Sequence, residues 1–247
     1  DEAIIPIRGG DWYDGGFWAD LYTHNWAEDS KPLYDTWKYL YKVIVFSNDG
    51  LTTIERHKQL LTDEKYKTYR AEVRAIRALY YYYLMDMFGN IPLVTTVNEN
   101  TENAEQASRP EVYKFIVKEL QEVAPLLPKG HSNHAGVYYG RVTRSVANFL
   151  LAKLMLNGEV YSDANWTDNQ RPDGRQTYFT VDGQQMNIWQ ACKHYCDKVT
   201  ADGFTLAPDY LSNFYVHNED SPENIFIIPL DKHLYKSQLQ YLFRSRH

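Results

Sequence analysis

Residues 1–31 combine large aromatic rings with charged and amide side chains. The rings are Trp12, Tyr13, Trp18, Tyr22 and Trp26, and between them lie Arg8, Asp11, Asp14, Asn25 and Asp29. A sugar presents apolar C–H faces and hydroxyl edges, so it requires an aromatic platform flanked by carboxylate, amide or guanidinium groups. The segment therefore predicts a carbohydrate-binding surface. The alternative is that the rings pack an irregular loop onto the fold, with Arg8 paired to Asp11 or Asp14.

A second polar stretch, residues 157–185, is rich in Gly, Asp and Asn and is long for a connection. It contains Trp166 and Tyr178, and we expect Trp166 to contribute to ligand binding. Four side chains in it resemble calcium ligands: Asp163, Asn165, Asp168 and Asp173. The glycine and distal glutamate of an EF-hand are not at the required positions. We therefore predict no metal site and no cofactor, while bound calcium stays an open alternative.

Reactive side chains form no catalytic motif. The sequence has no nucleophile elbow, phosphate loop, zinc pair on one helix face or glycine-rich dinucleotide turn. A glycoside hydrolase is the alternative to a binding protein, because that chemistry requires two carboxylates at a defined separation and 32 acidic residues supply many pairs. Cys192 and Cys196 lie four apart in a predicted helix, which is too far for a relaxed disulfide, so we expect buried free thiols.

The composition indicates an ordinary globular chain. Its 26 basic and 32 acidic residues give a net charge of −6, which argues against a nucleic-acid surface. No run of about 18 apolar residues predicts a membrane-spanning helix, and Asp1 does not open a secretion signal. From sequence we expect a soluble chain, mature or trimmed.

Apolar residues recur at three- and four-residue steps in five segments, and this spacing predicts five helices. The first begins at Pro32 and the second near Glu64, ending at Gly89. Ser108 and Glu111 form a capping-box pattern that starts the third, which continues to Leu127. We expect Thr143 to cap the fourth helix, which forms a hairpin with the third, and we expect the fifth to span residues 187–201.

The second helix is predicted to bury one apolar stripe. Its members are Tyr66, Tyr69, Val73, Ile76, Tyr80, Tyr83, Leu84 and Met87. The run from Tyr80 to Tyr83 encircles the helix at about 100° per residue, so we assign it to packing. A helical turn is expected over residues 208–214, and residues 223–230 are predicted to form a strand.

One stretch carries a family resemblance. AEVRAIRALYYYYLMDMFGNIPLVT, residues 71–95, strongly resembles the SusD/RagB family of outer-membrane nutrient-binding lipoproteins of Bacteroidota. DEAIIPIRGGDWYDGG and the spacing of Trp37, Tyr41 and Asn48 resemble its N-terminal portion. RPEVYKFIVKELQEVAPLLP, GRVTRSVANFLLAKLMLN and ENIFIIPL follow in the family's order.

The resemblance implies a mainly α, tetratricopeptide-like helical-repeat scaffold with long irregular loops and little β structure. It predicts one domain over residues 1–247, with an aromatic loop at 1–31, helical hairpins at about 32–201, the 157–185 insertion, and a C-terminal part that begins at 202–247. An N-terminal lipid anchor and the rest of that C-terminal part are expected to lie outside the sequence.

The implied function is capture of an oligo- or polysaccharide at the outer-membrane surface and its delivery to a SusC-like TonB-dependent transporter. By resemblance, the ligand contacts are transferred to Arg8, Trp26 and Asp29, and we add Asp11, Trp12 and Trp166. No nucleic-acid partner is expected. A tetratricopeptide-type interaction scaffold and a peptide-binding member of the family are further alternatives to a glycan-binding protein.

Overall fold

A computed structural model describes residues 16–97 and 104–229, and these residues are mainly helical. They belong to two compact units that divide between Val43 and Ile44. The α-helices of the described ranges are α1 Phe17–Tyr22, α2 Lys31–Arg56, α3 Asp63–Phe88, α4 Arg109–Val123, α5 Arg144–Leu156, α6 Gly158–Tyr161 and α7 Ile188–Ala201. Short 3-10 helices cover Lys58–Leu60, Ala124–Leu126 and Tyr210–Phe214.

Two small antiparallel ribbons accompany the helices. In the first, β1 Ile91–Pro92 pairs with β2 Gln106–Ala107. In the second, β3 Tyr178–Val181 pairs with β4 Gln184–Asn187, so that Val181 lies opposite Gln184. Asp182 and Gly183 connect β3 to β4 with φ angles of 48° and 81°. Positive φ at both central residues matches the turn that two-residue hairpins favour.

The predicted ends are confirmed for α3 and α7, and the predicted start is confirmed for α4, which ends at Val123 instead of Leu127 and passes into a 3-10 helix. Thr62 accepts a hydrogen bond from the Lys65 amide at 3.3 Å, and α3 stops at Gly89, whose φ is +73°. The capping box of α4 is present, with the Ser108 amide donating to Glu111 at 2.7 Å. Asn187 and Gln190 form a similar reciprocal pair at the start of α7. Short-range sequence signals therefore decided where these three helices begin.

Successive helices of the second unit pack side by side: α3 contacts α4, α4 contacts α5, and α5 contacts α7. The predicted hairpin of the third and fourth helices and the helical-repeat scaffold are thereby confirmed. The core side chains predicted for α5 are all buried: Val146, Leu150, Leu151, Leu154 and Met155. In the described residues, no helix is both long enough and apolar enough to cross a bilayer.

The predicted stripe of α3 is wrong at most positions, although Leu84 is buried as predicted. Tyr69, Tyr83 and Met87 are 39%, 39% and 62% exposed. Besides Leu84, the buried residues of α3 are Ala71, Ala75, Arg77, Ala78, Tyr81, Tyr82 and Met85. The pattern overlooked the alanines because they are small, yet small residues allow a neighbouring helix to approach closely. Tyr81 is among these buried residues and meets Phe115 of α4 edge to face, with ring centroids 5.6 Å apart. As predicted, the tyrosine run divides between core and solvent.

Four further predictions require correction. Residues 17–22 are helical rather than an irregular loop. Residues 157–185 are not one loop, because they contain α6, β3 and the start of β4. Residues 223–229 form no strand, because no described strand pairs with them, and Leu230 lies outside the described residues. Thr143 occupies the position before α5, but its hydroxyl makes no capping hydrogen bond with the described residues.

The two thiols are free, as expected, but they are not buried. Cys196 is exposed and Cys192 is half-buried. The face of α7 that packs inward consists of Ile188, Ala191, Tyr195 and Val199. Cys192 follows Ala191 by one residue, so a rotation of about 100° turns its side chain away from the centre of that face.

Candidate functional site

The segment between α1 and α2, residues 23–30, is an ordered turn that holds Trp26, and we call it the aromatic turn. Thr23 ends α1, its amide and hydroxyl both donating to the Ala19 carbonyl at 2.8 Å. Ser30 closes the other side: its hydroxyl accepts from the Ala27 amide at 2.9 Å, and its own amide donates to the Ala27 carbonyl at 3.0 Å. These bonds fix the backbone on both sides of Trp26.

Trp26 presents a large part of its ring to solvent. Its side chain is 44% exposed, and the His24 ring lies beside it with centroids 5.1 Å apart and planes tilted by 32°. The backbone of His24 has a φ of 57°, in the left-handed region, which turns the chain sharply before Trp26. Asp29 in the same turn is exposed. An exposed indole next to a carboxylate can cover the C–H face of a sugar while the carboxylate accepts from a hydroxyl.

Trp26 and Asp29 both lie in the aromatic turn, and their role in ligand binding stays a prediction. Arg8, Asp11 and Trp12 lie outside the described residues, and so do Tyr13 and Asp14. Trp166 belongs to the second unit and is 68% exposed, in a turn three residues after Asp163. Its ring is therefore available for a ligand in that unit.

The acidic residues of the 157–185 stretch are occupied by local hydrogen bonds. Asp163 is 6% exposed, pairs with Arg171 at 2.8 Å and accepts from the Asn165 amide at 2.9 Å. Asp168 accepts from the Gln170 amide and Asp173 from the Arg175 amide, both at 2.8 Å. Among the described residues no three His, Cys, Asp or Glu side chains converge on one point. These three carboxylates shape the stretch itself.

An ionic cleft that sequence reasoning missed lies along α3 in the second unit. Glu119 of α4 accepts from Arg74 at 2.5 and 3.1 Å and from Arg77 at 2.8 Å. Burial alone would raise the pKa of Glu119, but the hydrogen bonds from both arginines outweigh it and hold the pKa below its usual value. Arg77 also donates to Asn48 at 2.8 Å and to the Thr95 carbonyl at 3.0 Å. The spacing Arg74-x-x-Arg77 places both guanidiniums on one side of the helix.

This network explains the family resemblance physically. Asn48, Arg77 and Tyr81 all belong to the stretches that carry the resemblance, and each bonds to the segment after β1. The Tyr81 hydroxyl donates to the Val94 carbonyl at 2.6 Å and accepts from the Val94 amide at 2.9 Å. These three side chains therefore hold the segment after β1 against the helices.

A second cavity lies between the end of α4, α5, α7 and the β3–β4 hairpin. Asp202 pairs with Arg144 and accepts from the Ser145 hydroxyl at 2.8 Å, while Asp182 pairs with Lys198 at 2.6 Å. Burial would raise the pKa of Asp202, but the bonds from Arg144 and Ser145 lower it. The hydrogen bond from Lys198 lowers the pKa of Asp182. The Asp182-Gly183 pair was the sequence signal for this hairpin.

The glycosidase alternative requires a carboxyl group whose pKa is raised so that it can act as a general acid. Among the carboxylates that line the two cavities, Glu119, Asp182 and Asp202 each have a lowered pKa. Each of the three is also held in an ion pair. None of these three carboxylates is placed to donate a proton to a leaving group.

The chain resembles known proteins that bind starch or other carbohydrates. The starch-binding protein SusD of Bacteroides thetaiotaomicron is 24% identical over 161 residues, which is 65% of this chain and 24% of that protein. A SusD-like protein of Bacteroides ovatus is 26% identical over 163 residues, 62% of this chain and 28% of that protein. The chain thus spans about a quarter of the length of these relatives.

Solved structures show the same fold. A SusD superfamily protein of Parabacteroides distasonis superposes with a TM-score of 0.69 at 22% identity, covering 88% of this chain and 42% of that one. A SusD-like carbohydrate-binding protein of Bacteroides fragilis gives a TM-score of 0.66 at 23% identity, and the match covers 85% of this chain and 35% of that one. A laminarin-binding SusD-like protein gives a TM-score of 0.53 at 24% identity, and the match covers 77% of this chain and 36% of that one.

A family model also matches residues 11–156, more than half of the chain. The chain therefore belongs to the SusD-like family, which is described as starch-binding and associating with the outer membrane.

Proposed function

We propose that this chain is part of a cell-surface protein that captures an oligo- or polysaccharide and delivers it to a TonB-dependent outer-membrane transporter, without cleaving it. The observation that carries the proposal is Trp26, a 44% exposed residue held in an ordered turn that also contains the exposed Asp29. Membership of a starch-binding family supports the class of ligand. The relatives described as starch-binding and laminarin-binding support a glucan as the first ligand to test.

We propose a binding surface made of the aromatic turn together with Arg8, Asp11 and Trp12. Trp166 is proposed as a separate contact from the second unit, because its ring is 68% exposed. A solvent-exposed indole has apolar area to bury, and a polymer of sugars offers C–H faces along its whole length. The organisation of residues 1–247 as one domain stays a prediction.

Affinity measurements on the full-length protein test the proposal. Starch and laminarin are titrated calorimetrically, with reducing-sugar release measured in parallel to detect cleavage. Trp26→Ala is expected to weaken binding roughly 30-fold, since a dominant interface aromatic contributes about 2 kcal/mol. Its melting temperature should not change, because a half-exposed turn residue contributes little to the core.

Tyr34→Ala is the matched control: Tyr34 is 57% exposed and lies on α2, outside the aromatic turn. Unchanged affinity of the Trp26 variant, or equal losses in both variants, would reject the site. Sugar release that is abolished by replacing one carboxylate would reject binding without cleavage. The proposed delivery to a transporter has its own test. The tagged protein should co-purify with a TonB-dependent transporter from detergent-solubilised outer membranes. Recovery of the tagged protein without a transporter would contradict the delivery role.

A further inference from the structure

The cavity between α5, α7 and the β3–β4 hairpin has the dimensions of a small-molecule site. Its volume is about 480 Å³, and the residues that line it come from α4, α5, β3, the hairpin turn and α7. Binding sites for small molecules usually measure about 300 to 1,000 Å³. All of the lining residues belong to the second unit, so the cavity shares no residue with the aromatic turn.

The charged groups of this cavity neutralise one another. Arg144 pairs with Asp202, and Lys198 pairs with Asp182 at 2.6 Å. Asp182 also accepts from His194 at 2.8 Å. Two cations therefore face two carboxylates, and each is already engaged. A charged ligand would have to break an existing ion pair, whereas an uncharged one would not.

Asn148 lies in the wall of the cavity with its polar atoms unused. The residue as a whole is 2% exposed, yet its amide atoms are not among the fully buried unpaired groups of the described residues, so they face the open space of the cavity. An amide in such a position can hydrogen-bond to water or to a ligand. Asn148 interrupts an otherwise apolar helix face beside Leu151 of the same wall, and it gives the cavity a donor and an acceptor.

Two neighbouring groups on the wall have hydrogen-bonding capacity to spare. Gln121 donates to the Thr180 carbonyl and to the Tyr195 hydroxyl, both at 2.9 Å, which uses its two amide protons and leaves its oxygen free. Tyr195 is 2% exposed, and within the described residues its own hydroxyl proton has no acceptor. Burial raises the pKa of Tyr195 to about 12, so that proton stays in place at neutral pH.

We propose that this cavity binds a small, uncharged, polyhydroxylated molecule of mono- or disaccharide size. The Asn148 amide can both donate and accept, the Tyr195 hydroxyl donates, and the Gln121 oxygen accepts. A sugar hydroxyl performs both roles at once, so one such molecule satisfies all three groups. The alkyl surface of Leu151 and Ala201 covers its C–H face. This site is separate from the proposed polysaccharide surface and does not depend on it.

The test uses the full chain and named probes: glucose, xylose, maltose and laminaribiose, with glucuronate and glycine as charged controls. Thermal shift and calorimetry are run with the wild type, Asn148→Leu and Tyr195→Phe. At least one neutral sugar should bind the wild type and raise its melting temperature, while the charged probes should not. Asn148→Leu should weaken that binding at least tenfold and leave the melting temperature of the free protein unchanged or higher, because an apolar side chain of similar size has no unpaired group to bury.

Asn133→Leu is the matched structural control, since the Asn133 amide is buried and donates to the Glu219 and Ser221 carbonyls at 2.9 and 2.8 Å. It should lower the melting temperature. A comparable drop for Asn148→Leu, retention of sugar binding by both cavity variants, or the failure of every neutral sugar to bind would overturn the proposal. Tyr195→Phe removes one hydroxyl only and should still weaken binding, so the test survives if Asn148→Leu does not fold. Starch titrations of the same variants separate this site from the aromatic turn.

Discussion

Replacing Glu119 by Gln should destabilise the protein strongly, because Glu119 compensates two buried guanidiniums. Glu119 is 8% exposed, and the side chains of Arg74 and Arg77 are 12% and 7% exposed. Without the carboxylate the two cations remain buried and repel each other. Breaking a buried ion pair by removing one partner costs about 3–5 kcal/mol.

We expect the lower half of that range. Arg77 keeps its bonds to Asn48 and to the Thr95 carbonyl, and Arg74 keeps Glu122 at 2.5 Å. Urea unfolding followed by circular dichroism measures the free energy of unfolding. In a thermal scan the loss corresponds to a fall of roughly 6–16 °C, at about 2–4 °C per kcal/mol for a chain of this size.

Glu122→Gln is the matched control, because Glu122 bonds the same Arg74 but its side chain is 46% exposed. A solvent-exposed pair is worth about 0–1 kcal/mol. The reasoning is refuted if both variants lose the same stability, or if Glu119→Gln loses less than about 1 kcal/mol, the range of an exposed pair.

The pH dependence gives a second check on Glu119. Its folded-state pKa is lowered relative to the unfolded chain, where a glutamate titrates near about 4.3. Its stabilising contribution is therefore fully present above that pH and is lost as the pH falls through the folded-state pKa. The difference in unfolding free energy between wild type and Glu119→Gln should stay constant from neutral pH down to about 5 and shrink below about 4. A difference that grows on acidification would contradict the assignment.

Two smaller predictions concern the tyrosine run and the thiols. Tyr81→Phe should cost about 1–3 kcal/mol in urea unfolding, because the Val94 amide loses its partner and the Val94 carbonyl keeps only the bond from Asn48. Tyr83→Phe, at a 39% exposed position, should stay within about 0.5 kcal/mol, and equal effects of the two substitutions would contradict this account. Iodoacetamide at pH 8 should alkylate the exposed Cys196 before Cys192, because burial raises the pKa of the Cys192 thiol. Mass spectrometry of tryptic peptides gives the order of labelling. Faster labelling of Cys192 would show this prediction to be wrong.

The sequence was a good guide wherever neighbouring residues decide the structure. Ser108 with Glu111 and Asn187 with Gln190 are three apart, so a capping pair depends on the local chain alone. Gly89 and the Asp182-Gly183 turn likewise follow from which backbone angles a residue tolerates. The first two pairs and Gly89 lie where helices were predicted to begin or end. The hairpin was overlooked although its signal was present.

Long-range neighbours decided the rest. The predicted stripe of α3 failed because a three- to four-residue period fits more than one face, and only the approach of α4 selected the alanine face with Tyr81. Residues 223–229 have an apolar strand pattern, yet a strand needs a partner backbone, and the described residues provide none.

The composition and motifs of the sequence determined the family, the helical class and the exposed character expected of Trp26. Only the tertiary structure could show that Glu119 meets Arg74 and Arg77 across two helices, or that Asn148 lines a cavity. Such contacts join residues that are tens of positions apart, and their energies depend on burial, which no local pattern specifies.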